Sequence, residues 1–196
     1  MVELADKSAI SASVSEESLS ESDCSLFSSF SVVSSLFFSS FSSFFSSVGF
    51  SFSTPIIFSE DYSELTDPVG ILKTIKEVGA FKKGTSGSKT IDQIGKFGDK
   101  IMEIPGKQGL NAFVNTNLEQ TLRDHGVEQV LLAGTVASIC IDSTGRSAFE
   151  RGFKVTMLSD CISGRTVFEK DFYFEQVFPL YAEISSSEEL VGPVMI

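Results

Sequence analysis

The chain has 196 residues, which favours one domain large enough to bury a substantial core. Its net charge of −11 argues against a nucleic-acid-binding protein, because such proteins present a basic surface to the phosphates. Three cysteines, an odd number, do not make a disulfide framework, and the single His125 argues against a histidine-rich metal site and most histidine-based triads.

The first quarter of the chain differs in composition from the rest. Residues 25–53 contain 14 Ser and 9 Phe, and no charged residue lies between Cys24 and Ser59. Four interpretations stay open: a low-complexity extension, the translation of a pyrimidine-rich DNA run, a targeting segment or a membrane span. Interleaved serines disfavour the span, and an acidic flank without arginine disfavours targeting. We divide the chain into a Ser/Phe-rich segment, residues 1–54, predicted to be irregular or not a genuine protein segment, and a domain, residues 55–196.

Short apolar runs alternate with helical periodicity in the first half of this domain. Pro55–Phe58 is an apolar run after a proline, which is typical of a buried strand. Val69–Val78 has apolar residues at helical spacing. The next predicted elements are a loop, a helix, a strand and a helix that ends before Gly126, at residues 83–88, 90–97, 101–104 and 115–125.

The clearest pattern follows this helix end. Val127–Gly134 is a predicted strand that ends in glycine, Val136–Arg151 an amphipathic helix and Phe153–Asp160 the next strand. A helix, Phe168–Leu180, and a short edge strand, Tyr181–Ile184, complete the series. Nearly continuous apolar strands that alternate with helices predict a three-layer α/β/α fold with a central, mostly parallel sheet. Ligands of such sheets bind at the carboxyl ends of the strands.

Cys140 lies just after a predicted strand end, in the first turns of the following helix. A helix N-terminus favours the thiolate over the thiol, and the free backbone N–H groups of the first turn can hold a developing oxyanion. This position suits covalent catalysis. Spacing alone leaves open the alternative that the cysteine packs in the core as a small hydrophobic residue.

Several short motifs follow one another in order along the second half of the chain. They are Asn111-Ala112-Phe113, Thr116-Asn117-Leu118, Leu122-Arg123, Ala133-Gly134, Cys140, Ser143-Thr144-Gly145-Arg146, Gly152-Phe153-Lys154-Val155 and Ser159-Asp160-Cys161. Together they resemble the isochorismatase-like cysteine hydrolases, a superfamily that includes nicotinamidases and N-carbamoylsarcosine amidases. The resemblance covers about residues 55–184.

The resemblance implies hydrolysis of amide or vinyl-ether bonds in small molecules by a Cys, Lys and Asp triad. Cys140 matches the nucleophile, and Lys107 matches the lysine, whose ammonium stabilises a neighbouring thiolate. Similarity also implies a cis peptide bond between Thr135 and Val136, which aims the backbone amides of Val136 and Cys140 at one point as an oxyanion hole. We expect no metal and no cofactor, a small-molecule substrate, a homo-oligomer and a cytoplasmic location, with organelle targeting left open.

The third member of the triad has no match in this sequence. In the family the Asp ends the first strand, and Pro55–Phe58 corresponds to the second, but no acidic residue lies between Asp23 and Glu60. Glu60 and Asp61 are the nearest substitutes, although a solvated acidic turn is the stronger interpretation. Two alternatives to an active hydrolase therefore stay open: a catalytically impaired or truncated relative, and an oligomeric binding protein with the same fold.

Overall fold

A computed structural model describes residues 50–90 and 92–191, so most of the Ser/Phe-rich segment lies outside the described residues. The described strands are β1 (Ser51–Ser53), β2 (Ile101–Glu103), β3 (Gln129–Thr135), β4 (Lys154–Ser163) and β5 (Glu183–Ser185). The described α-helices are α1 (Gly70–Val78), α2 (Asp92–Gly95), α3 (Leu118–Asp124), α4 (Asp142–Glu150), α5 (Val167–Phe172) and α6 (Ser187–Val191). No helix in these ranges has the length and apolar character that a membrane crossing requires.

The strands form two parallel sheets. One sheet has the order β3-β4-β5, with Val130 opposite Val155 and Met157 opposite Ile184. The other pairs β1 with β2, with Phe52 opposite Met102. The predicted α/β class with parallel strands is confirmed. Within the described residues, however, the strands form two separate hydrogen-bonded sheets, where the sequence predicts one central sheet.

The first strand lies earlier than predicted. Pro55–Phe58 is not a continuous strand, since only Phe58 makes an isolated parallel bridge, to Lys82. The strand is β1, inside the segment that composition assigns to the irregular extension. Phe52 packs against the main core, and its ring centroid lies 6.1 Å from that of His125. Alternation of Phe and Ser from residue 50 to 53 gives the period of two that a strand needs, so the folded part begins before residue 54.

Later elements keep their predicted type but change their ends. Strand β4 extends to Ser163, three residues beyond the prediction. The predicted helix Phe168–Leu180 is instead α5, a π-helical turn at Tyr173–Val177 and a 3₁₀ turn at Phe178–Leu180. Pro179, inside that last turn, lacks an N–H group and cannot continue an α-helical ladder, which accounts for the 3₁₀ turn.

The main hydrophobic core lies against the β3-β4-β5 sheet. Met157 of β4 and Phe178 are fully buried in it, together with Ala137 and Ala148 from the helical segment that carries Cys140. A second, smaller core surrounds Phe58. The segment that bears the candidate nucleophile is therefore anchored in the larger core.

Candidate active site

Cys140 lies on a π-helical turn, Ala137–Ile141, that begins directly after β3 and continues into α4. Ala137 and Ile141 are buried and fix this turn to the core, whereas Cys140 is half-buried. The peptide bond between Thr135 and Val136 is cis. The carbonyl of Val136 accepts hydrogen bonds from the N–H groups of Ile139 and Ile141, at 3.0 and 3.2 Å. These two residues flank Cys140 in the sequence.

Lys107 and Cys140 lie next to each other although they are 33 residues apart in sequence. Lys107 is 6% exposed, which is unusual for a lysine without a partner. Burial lowers the pKa of Lys107 below its ordinary value, while the charge of Cys140 and a side-chain hydrogen bond to it act in the opposite direction. The structure thus brings these two predicted residues together.

Backbone geometry holds Lys107 in this place. Gly106 has a φ of +98°, and a Cβ atom there would lie 2.7 Å from the backbone oxygen of Asn115. Only glycine fits this crossing without displacement. The carbonyl of Lys107 itself accepts a hydrogen bond of 3.2 Å from the N–H of Ile57.

A buried hydrogen bond connects the Lys107 segment with the helix after Cys140. The N–H group of Ala112, which is 1% exposed, donates to Oγ1 of Thr144 on α4 at 3.1 Å. Phe113 stacks on Phe153, with 6.2 Å between ring centroids. The hydrogen bond therefore joins two of the sequence motifs, the one that contains Ala112 and the one that contains Thr144. The sequence identified the motif residues but did not predict the role of Thr144, because its partner lies 32 positions away.

Glu60 and Asp61 belong to an exposed turn. The carboxylate of Asp61 accepts hydrogen bonds from the Ser59 hydroxyl at 2.8 Å and the Ser63 N–H at 3.1 Å. These bonds lower the pKa of Asp61 from its ordinary value. The next carboxylate, Glu64, accepts from Ser59 and from the side-chain amide of Gln108, the residue after Lys107. The carboxylate of Asp61 is therefore used within the turn, and that of Glu64 connects the turn to Gln108.

The second described cysteine has a different environment. Cys161, on β4, is buried, and burial, followed by the charge of Asp160, raises the pKa of its thiol to about 12. A thiol with such a pKa is almost entirely protonated at neutral pH, and the protonated form is not nucleophilic. Its environment suits packing.

The turn Ala137–Ile141, which carries Cys140, also contacts α5 through Ser138. The hydroxyl of Ser138 donates to Oε1 of Glu169, and Nε of Arg165 donates to Oε2 at 2.7 Å. Sequence analysis missed this contact, and only the spacing of Thr166 and Glu169 at a helix start gave any signal there. Within residues 50–90 and 92–191, the His, Cys, Asp and Glu side chains form no group of three or more that can hold a metal ion.

Comparisons with known proteins converge on one group. The isochorismatase domain model matches residues 50–189. An uncharacterized isochorismatase family protein, YecD of Escherichia coli O157:H7, is 31% identical over 94 residues, which are 48% of this chain and 50% of that protein. Nicotinamidase 3 of Arabidopsis thaliana is 28% identical over 108 residues, 55% of this chain and 54% of that protein. The chain thus spans about half the length of these curated relatives.

The fold has solved counterparts. The structure of N-carbamoylsarcosine amidase from Thermoplasma acidophilum matches with a TM-score of 0.62 at 25% identity, covering 79% of this chain and 82% of that one. A cysteine hydrolase from Pseudomonas syringae matches with a TM-score of 0.67 at 16% identity, covering 79% and 78%. The second likeness concerns the fold alone.

Proposed function

The chain belongs to the isochorismatase family, and we propose that it is a cysteine-dependent hydrolase that cleaves an amide or vinyl-ether bond of a small molecule. The observation that carries this proposal is the buried Lys107 beside Cys140, where an ammonium group meets a thiol at the start of a helix. An ammonium beside a thiol stabilises the thiolate, which is the nucleophilic form. The hydrolase names of relatives such as nicotinamidase and N-carbamoylsarcosine amidase support it.

The proposed reaction of an amide has two stages. The Cys140 thiolate attacks the carbonyl carbon, a C–S bond forms, and the electron pair of the C=O bond moves to oxygen. The C=O bond then re-forms from the electron pair on oxygen, the C–N bond breaks with its pair on nitrogen, and the leaving amine takes up a proton from solvent water. Water next attacks the thioester carbonyl and gives up a proton to the solvent, the C–S bond breaks, and the carboxylic acid and the thiolate of Cys140 are released.

We place the oxyanion hole at the backbone N–H groups of Val136 and Cys140. The Val136 carbonyl is occupied by the amides that flank the Cys140 amide, and the turn starts a helix, where N–H groups lack carbonyl partners of their own. Donors fixed in this way stabilise charge that develops in the transition state. The buried Ala137 between them keeps the turn rigid.

A second candidate function is a catalytically impaired relative that is acylated but not turned over. The observation that favours it concerns Lys107: among the described residues, the influences on its pKa are burial and Cys140, and no carboxylate contributes. Sustained hydrolysis needs a base that takes a proton from water and an acid that supplies one to the leaving group. By analogy with other triads, loss of one member costs on the order of 10³–10⁴ or more in rate.

One experiment tests the proposal and separates the two candidates. The protein is mixed with an activated ester, and mass spectrometry follows acylation while product release is recorded. We expect acyl transfer to Cys140 in the wild type and in Cys161→Ala, and none in Cys140→Ala. Steady product release after the first turnover supports the active hydrolase, whereas a burst without turnover supports the impaired relative. Equal acylation of Cys140→Ala would refute both.

The homo-oligomeric state and the cytoplasmic location stay predictions.

A further inference from the structure

Glu169 on α5 is an almost buried carboxylate that contacts the Cys140 turn, and the mechanism above does not use it. Its side chain is 10% exposed. Burial raises the pKa of Glu169, but hydrogen bonds from Ser138 and Arg165 outweigh this effect, and the net pKa lies below the ordinary value. We propose that Glu169 is a positioning residue that holds the Cys140 turn through Ser138. This inference rests on the hydrolase function proposed above.

The start of α5 gives a first argument. Thr166 and Glu169 have the spacing of a capping box, in which the glutamate turns back to the N–H group of the capping residue. One half of the box is present, since the Glu169 N–H donates to Oγ1 of Thr166 at 3.1 Å. The carboxylate itself points elsewhere, with Oε1 on Ser138 and Oε2 on Arg165. Glu169 therefore connects α5 to the Cys140 turn.

The position of Ser138 gives a second argument. It lies two residues before Cys140, and successive helical residues rotate by about 100°, so the two side chains leave the turn in nearly opposite directions. Lys107 contacts the turn at Cys140, and Glu169 contacts it from the other side at Ser138. Ser138 also lies between Val136 and Cys140, whose amides form the proposed oxyanion hole. A shift of Ser138 moves both amides.

The test compares two reactions of the same thiol. Acylation by an activated ester passes through an oxyanion, whereas alkylation by iodoacetamide does not, so only acylation depends on how the amides are placed. Both reactions consume the thiolate, so the ratio of the two rates, measured at one pH, cancels any change in thiol ionisation. The variants are Ser138→Ala, Glu169→Ala, their double mutant and Glu169→Gln. Glu189→Ala is the matched control, because Glu189 accepts from the Ser186 N–H at the start of α6.

We expect Ser138→Ala and Glu169→Ala each to slow acylation about tenfold and to change alkylation less than about twofold. The double mutant should be no slower than either single mutant, because both remove one contact. Glu169→Gln keeps an acceptor for Ser138 and should retain most of the rate, and Glu189→Ala should match the wild type.

Three results overturn the inference. If acylation is unchanged in both single mutants, the contact does not position the turn. If acylation and alkylation fall equally, or if Glu189→Ala slows acylation as much as Glu169→Ala does, Glu169 has a general structural role. If the wild type is alkylated but never acylated, the proposed function fails, and this inference fails with it. In the first two results the wild type is still acylated, so only this inference fails.

Discussion

The two halves of the described chain hold the candidate site in different ways. Cys140 follows the seven-residue strand β3, which pairs in a three-stranded sheet and leads into the main core. Lys107 follows the three-residue strand β2, which pairs only with β1 in the described residues, and is placed by the crossing at Gly106. Cys140 is thus anchored directly after a strand of the larger sheet, while Lys107 depends on loop contacts. Mutations in the two halves should therefore have separable effects on the thiol and on its activation.

The largest expected difference lies between the two described cysteines, both in the second half. At pH 7 we expect iodoacetamide to label Cys140 at least about 10³ times faster than Cys161, because a pKa near 12 leaves very little thiolate. Peptide mass spectrometry of the folded protein measures both rates. Similar labelling of the two cysteines would contradict the special environment of Cys140.

Substitution of Lys107 tests whether this lysine activates Cys140. Lys107→Met should slow acylation at neutral pH by about 10- to 100-fold, because the thiolate loses its ammonium neighbour. Lys83→Met, at an exposed lysine of the same half, should leave the rate unchanged. Loss of rate in both variants, or in neither, would break the assignment of Lys107.

The pH dependence follows from the same residue. Because burial lowers the pKa of Lys107, the folded protein loses this proton below the ordinary pKa of about 10.5. Acylation should therefore decline at a lower pH than an ordinary lysine would cause, and this decline should be missing in Lys107→Met. The unfolded chain holds the proton more tightly, so the contribution of Lys107 to stability rises with pH between its folded pKa and about 10.5.

A smaller effect is expected from the crossing that places Lys107. Gly106→Ala should reduce acylation about tenfold while alkylation of Cys140 stays within about twofold, since the new Cβ meets the oxygen of Asn115. Gly84→Ala is the matched control: its φ is +81°, but no atom lies within 4 Å of the added Cβ. Both variants should lose about 1 kcal/mol or more from the left-handed backbone, measured by denaturant unfolding. Equal acylation by the two variants would show that the crossing does not position Lys107.

The sequence predicted the second half better than the first, for a physical reason. β3 and β4 are long apolar runs bounded by glycine and polar residues, and such runs indicate strands clearly. β1 consists of Ser51, Phe52 and Ser53, whose composition resembles the preceding tract, and only the packing of Phe52 against the core distinguishes it. Composition does not contain that packing.

The sequence alone predicted a site residue only where that residue directly follows a predicted strand or helix. Cys140 is such a residue, because a cysteine after a strand end has a chemical interpretation of its own. Lys107 needed the family resemblance, since a lysine in a loop is ordinarily solvated. The contacts of Ser138 with Glu169 and of Ala112 with Thr144 join residues 31 and 32 positions apart, and no local pattern encodes them.

The pairing of β1 with β2 determines where an expressed fragment of this protein can begin. The carbonyl of Ser53 accepts the N–H of Ile104 at 2.8 Å, three residues before Lys107. A recombinant fragment that starts at Thr54, where the unusual composition ends, would lack this acceptor and β1, the strand that pairs with β2 in the described part of the chain. Such a fragment would contain all the motif residues but would lack the strand pairing that precedes Lys107. Expression of the folded domain should therefore start upstream of residue 50.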